Sequence, residues 1–389
     1  MSDGIAAHHA VIDRLAGFGP RVAGTAAETR AATYLVEQLQ GLGLEAWLQP
    51  FKFVGWEQIT PARVTLSAPD QRELRAGSMA YTDSTPPGGV TGRLVKIGTA
   101  YICPGFFEWP KYAVVDAAGA EVAFLLGHVD GHAIPMPDVY PDRIFMEPTV
   151  NIGHADARQI DAWLEAGETI QVAVETAGRF VPGLTSHNVL ARLPGRSTDE
   201  IVVSSHIDTA PGAPGAIDNA SGTQCLYDVA ARLVAHGTPE KTFIFAAFGG
   251  EEYFLLGSSW YVADRKTRGT LDQVVANLNL DTVGVGNTIL CMVARDGLRR
   301  EVEAAMDRAG TRERFAEITF SPPRRAVDNF PFHEEGIPNM VFVVWPYDEY
   351  HQPGDNLDLV DHDVVDHISE LACDLAIACD GASRDDLWS

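Results

Sequence analysis

The chain is short of cysteine, short of basic residues and without a long apolar stretch, and each shortage narrows what it does. Its five cysteines (Cys103, Cys225, Cys291, Cys373, Cys379) are an odd number in 389 residues and form no Cys-x-x-Cys pair. That excludes a disulfide framework and a thiolate zinc site, and the thiols read as buried groups in a reducing compartment. Lys and Arg number 29 against 53 Asp and Glu, a net charge of −24. Such a surface repels phosphate backbones and anionic headgroups, so neither nucleic acid nor a membrane is an expected partner. No apolar run reaches the roughly 18 residues of a membrane span. The opening Met1-Ser2-Asp3-Gly4 lacks the basic and apolar regions of a signal peptide. A cytoplasmic protein is therefore expected, or a secreted one if the sequence is a mature form. Repeats and low-complexity tracts are also lacking.

What is present is ordinary globular material, 46% hydrophobic and 21% charged, long enough for about two domains. Glu28 to Gln40 has Leu35, Leu39 and Leu42 on one helical face, closed by Gly41 and Gly43. From about Phe53 the texture becomes alternating and turn-rich. Gly98 to Pro110 is aromatic, and His132 to Pro148 holds four prolines. This predicts a β-rich module over 56–178 inserted into a domain made of 1–55 and 179–389. After Asn188, strand-like runs (Ile201–Ser205, Thr242–Phe248, Val274–Leu280, Asn339–Trp345) alternate with helical ones (Thr223–Ala235, Gly257–Lys266). The expected fold class is α/β: a mixed, mostly parallel sheet with helices on both faces.

Ligands in such sheets collect beyond the carboxyl ends of the strands. His206 and Asp208 follow the first run, Gly249-Gly250-Glu251-Glu252 the second, Asp281 the third, and Tyr350-His351-Gln352-Pro353 the last. Between the first strand and its helix lies Ala216-Ile217-Asp218-Asn219-Ala220-Ser221-Gly222. Imidazole with carboxylate and no thiolate suits zinc, manganese, cobalt or ferrous iron. The three carboxylates Asp218, Glu252 and Asp281 would carry −3 against the +4 of two divalent ions, and a hydroxide closes the balance. One metal buried with three anions is the less favourable arrangement.

This set resembles the co-catalytic dizinc aminopeptidases, a zinc-exopeptidase family that also includes glutamate carboxypeptidases, glutaminyl cyclases and the transferrin receptor ectodomain. The match runs in order over roughly residues 188–365, and Arg21-Val22-Ala23-Gly24-Thr25 resembles the family's entry motif. The region 56–178 resembles the protease-associated domain, notably at Ala117–Ala120 and Pro148–Val150. The resemblance implies two divalent metal ions, zinc by type, with Asp218 bridging them. His206 and Asp281 would complete one site, and Glu252 with His351 the other. Glu251 would be the general base, Asp208 would fix the His206 tautomer, and Tyr350 would donate to the oxyanion. The family's non-proline cis peptide would fall at Asp218–Asn219. Two departures stand out: the Pro- and Gly-rich stretch Thr209–Gly215, and Phe254 where the family commonly has glycine.

The expected function is a metallo-aminopeptidase that hydrolyses the first peptide bond of a peptide or related amide. A glutamate-releasing carboxypeptidase would use the same core, with Arg295, Arg324 and Arg325 available for a substrate carboxylate. An amidohydrolase acting on a non-peptide amide is a second alternative, and a catalytically inactive binding module a third. The His128-Val129-Asp130-Gly131-His132 stretch mimics a metal motif but lies in the inserted module. His362 and His367 are five apart, so on a helix they diverge and cannot share an ion.

Overall fold

The computed structural model describes residues 9–103, 106–127, 147–346 and 348–389, with the backbone alone for 100–103 and 106–108. His128 and His132 therefore lie outside the described residues, as do the side chains of Cys103 and Phe106 to Glu108. Two compact units are present. One is built from Met1–Lys52, Thr185–Tyr347 and Pro353–Ser389, the other from Phe53–Leu184 and Asp348–Gln352.

The chain opens with helices α1 (Ala10–Ala16) and α2 (Ala26–Gly41). Thr25 caps α2 by accepting the Glu28 N–H, and Leu35 and Leu39 are buried on its inner face. The smaller unit then contains β1 (Glu45–Ala68) from Phe53 onward, β2 (Arg72–Leu74), β3 (Ala76–Ser78), β4 (Val90–Cys103), β5 (Phe106–Val115), β6 (Glu121–Gly127), β7 (Thr149–Ile152), helix α3 (His154–Glu165) and the start of β8 (Gln171–Leu193). Its strands lie in the order β8-β4-β5-β6-β7-β3, with β2 paired to β1. Val64, Leu66, Leu94, Val114, Leu125, Val150 and Ile160 form its core. The buried Tyr112 hydroxyl donates to Asp161 of α3 at 2.8 Å, which ties the helix to the sheet.

In the larger unit the order is β13-β12-β14-β11-β9-β10-β8. It uses the last residues of β8, then β9 (Glu200–His206), helix α4 (Gly222–His236), β10 (Thr242–Phe248), helix α5 (Leu256–Thr267), β11 (Val274–Leu280), β12 (Thr288–Ala294) and helix α6 (Asp296–Arg308). The one-turn helix α7 (Thr311–Arg314), β13 (Glu317–Ser321), the short helix α8 (Phe330–Glu334), β14 (Asn339–Trp345), helix α9 (His362–Gly381) and the terminal turn α10 (Arg384–Trp388) complete it. Strands β10, β9, β11 and β14 are mutually parallel, and antiparallel strands flank them on both sides.

The parallel strands are buried along their length except at Trp345, the last residue of β14, because both faces are covered. Phe243, Phe245 and Ala247 of β10 enter one apolar cluster while Ile244, Ala246 and Phe248 enter the other. Two parallel neighbours also share a buried polar ladder. Asn277 Nδ2 donates to Ser204 Oγ at 2.8 Å, and Ser204 Oγ donates to Asn279 Oδ1 at 2.8 Å. Cys225, Cys291, Cys373 and Cys379 are buried free thiols. His362 stacks on His9 with ring centroids 4.4 Å apart, whereas His367 pairs with the Thr311 hydroxyl at 3.0 Å, so the two face different neighbours.

Candidate metal centre

In sequence β10 follows β9 and β11 follows β10, yet β10 and β11 lie on opposite sides of β9. The chain order therefore reverses at β9, and a crevice opens beyond its carboxyl end. His206 is the last residue of β9, and its carbonyl accepts the Thr223 hydroxyl at 3.0 Å. Asp281 follows β11 directly, its amide donating to Phe342 of β14 at 3.1 Å. Glu251 and Glu252 follow β10 after two glycines. A Cβ on Gly249 would run into Ser186 and Glu28, and Gly250 has φ +66, so this corner needs glycine at both positions.

Asp218 lies in a one-turn segment, Ala216–Ser221, in which it and Asn219 have non-helical backbone angles. The Asp218–Asn219 peptide is cis, at the bond the resemblance marks. Asn219 Nδ2 donates to Leu280 O at 3.0 Å, and its Oδ1 accepts the Gly222 and Thr282 amides at 2.9 and 3.2 Å. One amide side chain thus joins the Asp218 turn to the strand end that carries Asp281.

Five of the expected site residues meet here. His206 Nε2 is 3.1 Å from Asp218 Oδ1, 3.3 Å from Asp281 Oδ1 and 4.0 Å from Glu251 Oε2. Two triplets, His206–Asp218–Glu252 and His206–Glu251–Asp281, each bring their ligand atoms within 4.8 Å of one another, and all are buried. Asp208 is completely buried. Its Oδ1 lies 3.7 Å from His206 Nδ1, too far for a hydrogen bond. Its oxygens instead accept the Glu251 and Glu252 amides at 3.1 and 3.3 Å. Asp208 therefore grips the backbone of the two glutamates rather than the imidazole. Tyr350 and His351 belong to Asp348–Gln352, which groups with the smaller unit, and their ring centroids are 3.5 Å apart. Neither is part of the two triplets found among the described residues.

Charge is crowded in this pocket. Burial disfavours the charged form of His206, yet Asp281, Glu251, Asp208 and Asp218 override it and hold the imidazole well above its ordinary range. Burial pushes Glu251 well up as well, with Asp281, Asp328 and Glu252 adding to the push and His206 opposing it. Asp328, fully buried, is raised to about 8 mainly by burial. Carboxylates this dense, served by nitrogen and oxygen donors and no sulfur, fit divalent cations of the zinc type. The same chemistry disfavours leaving the cluster without cations.

Four further residues support the centre, and of these only Arg21 lies in a motif that the sequence singles out. Arg21 is fully buried, and its guanidinium donates to the carbonyls of Ile207, Leu15, Pro214 and Gly215 at 2.6–3.1 Å. Burial lowers it to about 10, against the pull of Asp355, Asp208 and Asp218. Glu28 accepts the Gly24 amide at 2.7 Å and the Ser186 hydroxyl, and burial raises it to about 8. Asp355 and Asp328 are each isolated acids in loops, a pattern shared by many surface residues.

With the geometry in hand, similarity to known proteins is informative. Residues 188–376 match the profile of peptidase family M28. This stretch is similar to the M28 peptidases. The chain is 26% identical over 382 residues to the aminopeptidase YwaD of Bacillus subtilis, covering 91% of this chain and 80% of that protein. It is 24% identical to carboxypeptidase Q of Mus musculus over 62% of this chain and 58% of that one. Among solved structures, the aminopeptidase from Aneurinibacillus sp. strain AM-1 superimposes with a TM-score of 0.72 at 23% identity, covering 96% and 93% of the two chains. An M28 peptidase precursor from Shewanella amazonensis gives 0.77 at 18% identity, covering 97% and 94%. These two likenesses establish a shared fold, and the stretch that matches the M28 profile carries the clustered histidine and carboxylates.

Proposed function

We propose that the protein is a metallo-aminopeptidase that removes the N-terminal residue of a peptide. The observation that carries this reading is the meeting of His206, Asp218, Glu251, Glu252 and Asp281 at one edge of the parallel sheet. His206, Asp218, Glu252, Asp281 and His351 would hold two zinc ions, with Asp218 shared between them. When bound, such ions polarise a carbonyl and lower the proton affinity of an attacking water. Glu251, whose Oε2 lies 4.0 Å from His206 Nε2, takes up the proton of that water. It then delivers the proton to the departing amine. Asp208 fixes the turn from which Glu251 reaches the substrate. Tyr350 donates to the developing oxyanion. We read residues 56–178 as an accessory module of the protease-associated type.

Metal content by mass spectrometry, paired with hydrolysis of an aminoacyl-nitroanilide panel, tests the proposal. Two metals per chain and chelator-sensitive release of nitroaniline are expected. A Glu251→Ala protein that keeps both metals and normal turnover would overturn the role given to Glu251. The likeness to carboxypeptidase Q supports a second reading on the same core, with Arg324 and Arg325 receiving a substrate carboxylate. Activity on C-terminal substrates and none on the nitroanilides would favour it.

A further inference from the structure

Asp218 leaves the backbone from a segment that cannot satisfy its own amides. Its φ of −110° and ψ of 91° break the helical pattern, and the neighbouring turn is completely buried. Buried N–H groups without acceptors cost about 1–3 kcal/mol each. Asp355, completely buried, supplies the acceptors. Its Oδ1 takes the Ile217 amide at 2.7 Å, its Oδ2 takes the Asp218 amide at 3.0 Å, and its carbonyl takes the Ala216 amide at 3.3 Å. Three successive amides thus converge on one residue, and a two-point carboxylate grip fixes the plane of the peptide that presents the Asp218 side chain.

The other end of the same loop is held by Arg21. Its guanidinium binds Pro214 O at 2.6 Å, Gly215 O at 3.0 Å and Ile207 O at 2.9 Å. The loop that leaves His206 and arrives at Asp218 is therefore clamped by a cation on its carbonyls and an anion on its amides. Each charge faces backbone dipoles.

We propose that Asp355 is a positioning residue for Asp218, so that the affinity of the centre for metal is set partly by a carboxylate that binds no metal. This rests on the reading of Asp218 as a metal ligand. Asp355 is also four residues beyond His351 in the sequence, so one short loop carries a proposed ligand and the device that aims another.

The test uses the full chain and zinc alone, titrated against a chromogenic chelator. In Asp355→Asn one oxygen becomes an NH2 group facing an amide donor, so the peptide plane must turn. At least one zinc is expected to bind tenfold or more weakly, and kcat on an aminoacyl-nitroanilide to fall with little change in KM. Asp355→Glu keeps both oxygens at a shifted position and is expected to fall between wild type and Asp355→Asn. It also serves as the test should Asp355→Asn fail to fold. Asp361→Ala is the control: Asp361 caps α9 by accepting the Asp363 and Val364 amides and does not touch the centre. It is expected to lower the thermal midpoint while leaving zinc affinity unchanged. Zinc affinity within twofold of wild type in Asp355→Asn, or an equal loss in Asp361→Ala, overturns the proposal. A wild-type chain that binds no zinc overturns the metallo-aminopeptidase reading itself, and this inference falls with it.

Discussion

Asp208 offers the sharpest test of how the centre is built, because its hydrogen bonds go to backbone and not to the imidazole. Replacement by alanine leaves the Glu251 and Glu252 amides without acceptors in a fully buried position. At about 1–3 kcal/mol for each unsatisfied amide, the loss of stability is roughly twice that for one bond. Asparagine keeps one acceptor and points an NH2 group at the other amide, so about half the loss is expected. The glutamate turn then relaxes, and groups that orient active residues typically contribute about 10- to 100-fold to activity. Two assays read this: kcat/KM on a leucyl-nitroanilide at saturating zinc, and hydrogen exchange at the amides of residues 251 and 252. Both should change together, with alanine more severe than asparagine. If Asp208 acts only on the His206 tautomer, zinc affinity falls while exchange at those amides stays at the wild-type rate. That result would refute the reasoning.

Glu28 is raised from 4.5 to about 8 by burial, so the folded protein retains a proton there that the unfolded chain releases near pH 4.5. Its contribution to stability is full below about pH 4.5 and is lost as pH rises toward 8. Glu28→Gln should flatten that slope in thermal midpoints measured across the window, and an unchanged slope would contradict the assignment. Phe254 has φ +70, a left-handed conformation that favours glycine. Phe254→Gly should therefore be more stable than Phe254→Ala by about 1 kcal/mol, the reverse of the order in an ordinary turn; equal denaturation midpoints would refute this. At Gly222 an added Cβ would meet Asn219 Oδ1 and Leu280 O. Gly222→Ala should therefore weaken zinc binding in the chelator titration, and wild-type binding would show that the Asn219 link is dispensable.

Much of the larger unit was legible because apolar strands buried on both faces leave continuous runs in the sequence. Thr242–Phe248, Val274–Leu280 and Asn339–Trp345 occupy the stretches read from the sequence, and β9 adds one residue at each end of its run. The polar residues just past those runs meet because a parallel sheet gathers its carboxyl ends. Which of its neighbours Asp208 holds depends on side-chain and corner geometry that spacing does not encode. Arg21, Asp328 and Asp355 act through burial and backbone contacts made across long stretches of chain. Arg21 and Ile207, for example, are separated by 186 positions. A charged residue in a loop gives no local sign that such a partner exists.

The polar ladder of Ser204, Asn277 and Asn279 has a meaning for how the chain finds its fold. Valines and leucines on neighbouring strands tolerate sliding, since one apolar contact replaces another. A slip of β11 by one residue would turn Asn277 and Asn279 to the face opposite Ser204, and a slip of two would carry them about 6.7 Å out of reach. Either error leaves polar groups stranded in a dry interior. His206 is two residues beyond Ser204, and Asp281 two beyond Asn279. The ladder thus works as a vernier: it admits one alignment of β9 with β11 and so checks the spacing of the metal ligands as the sheet assembles.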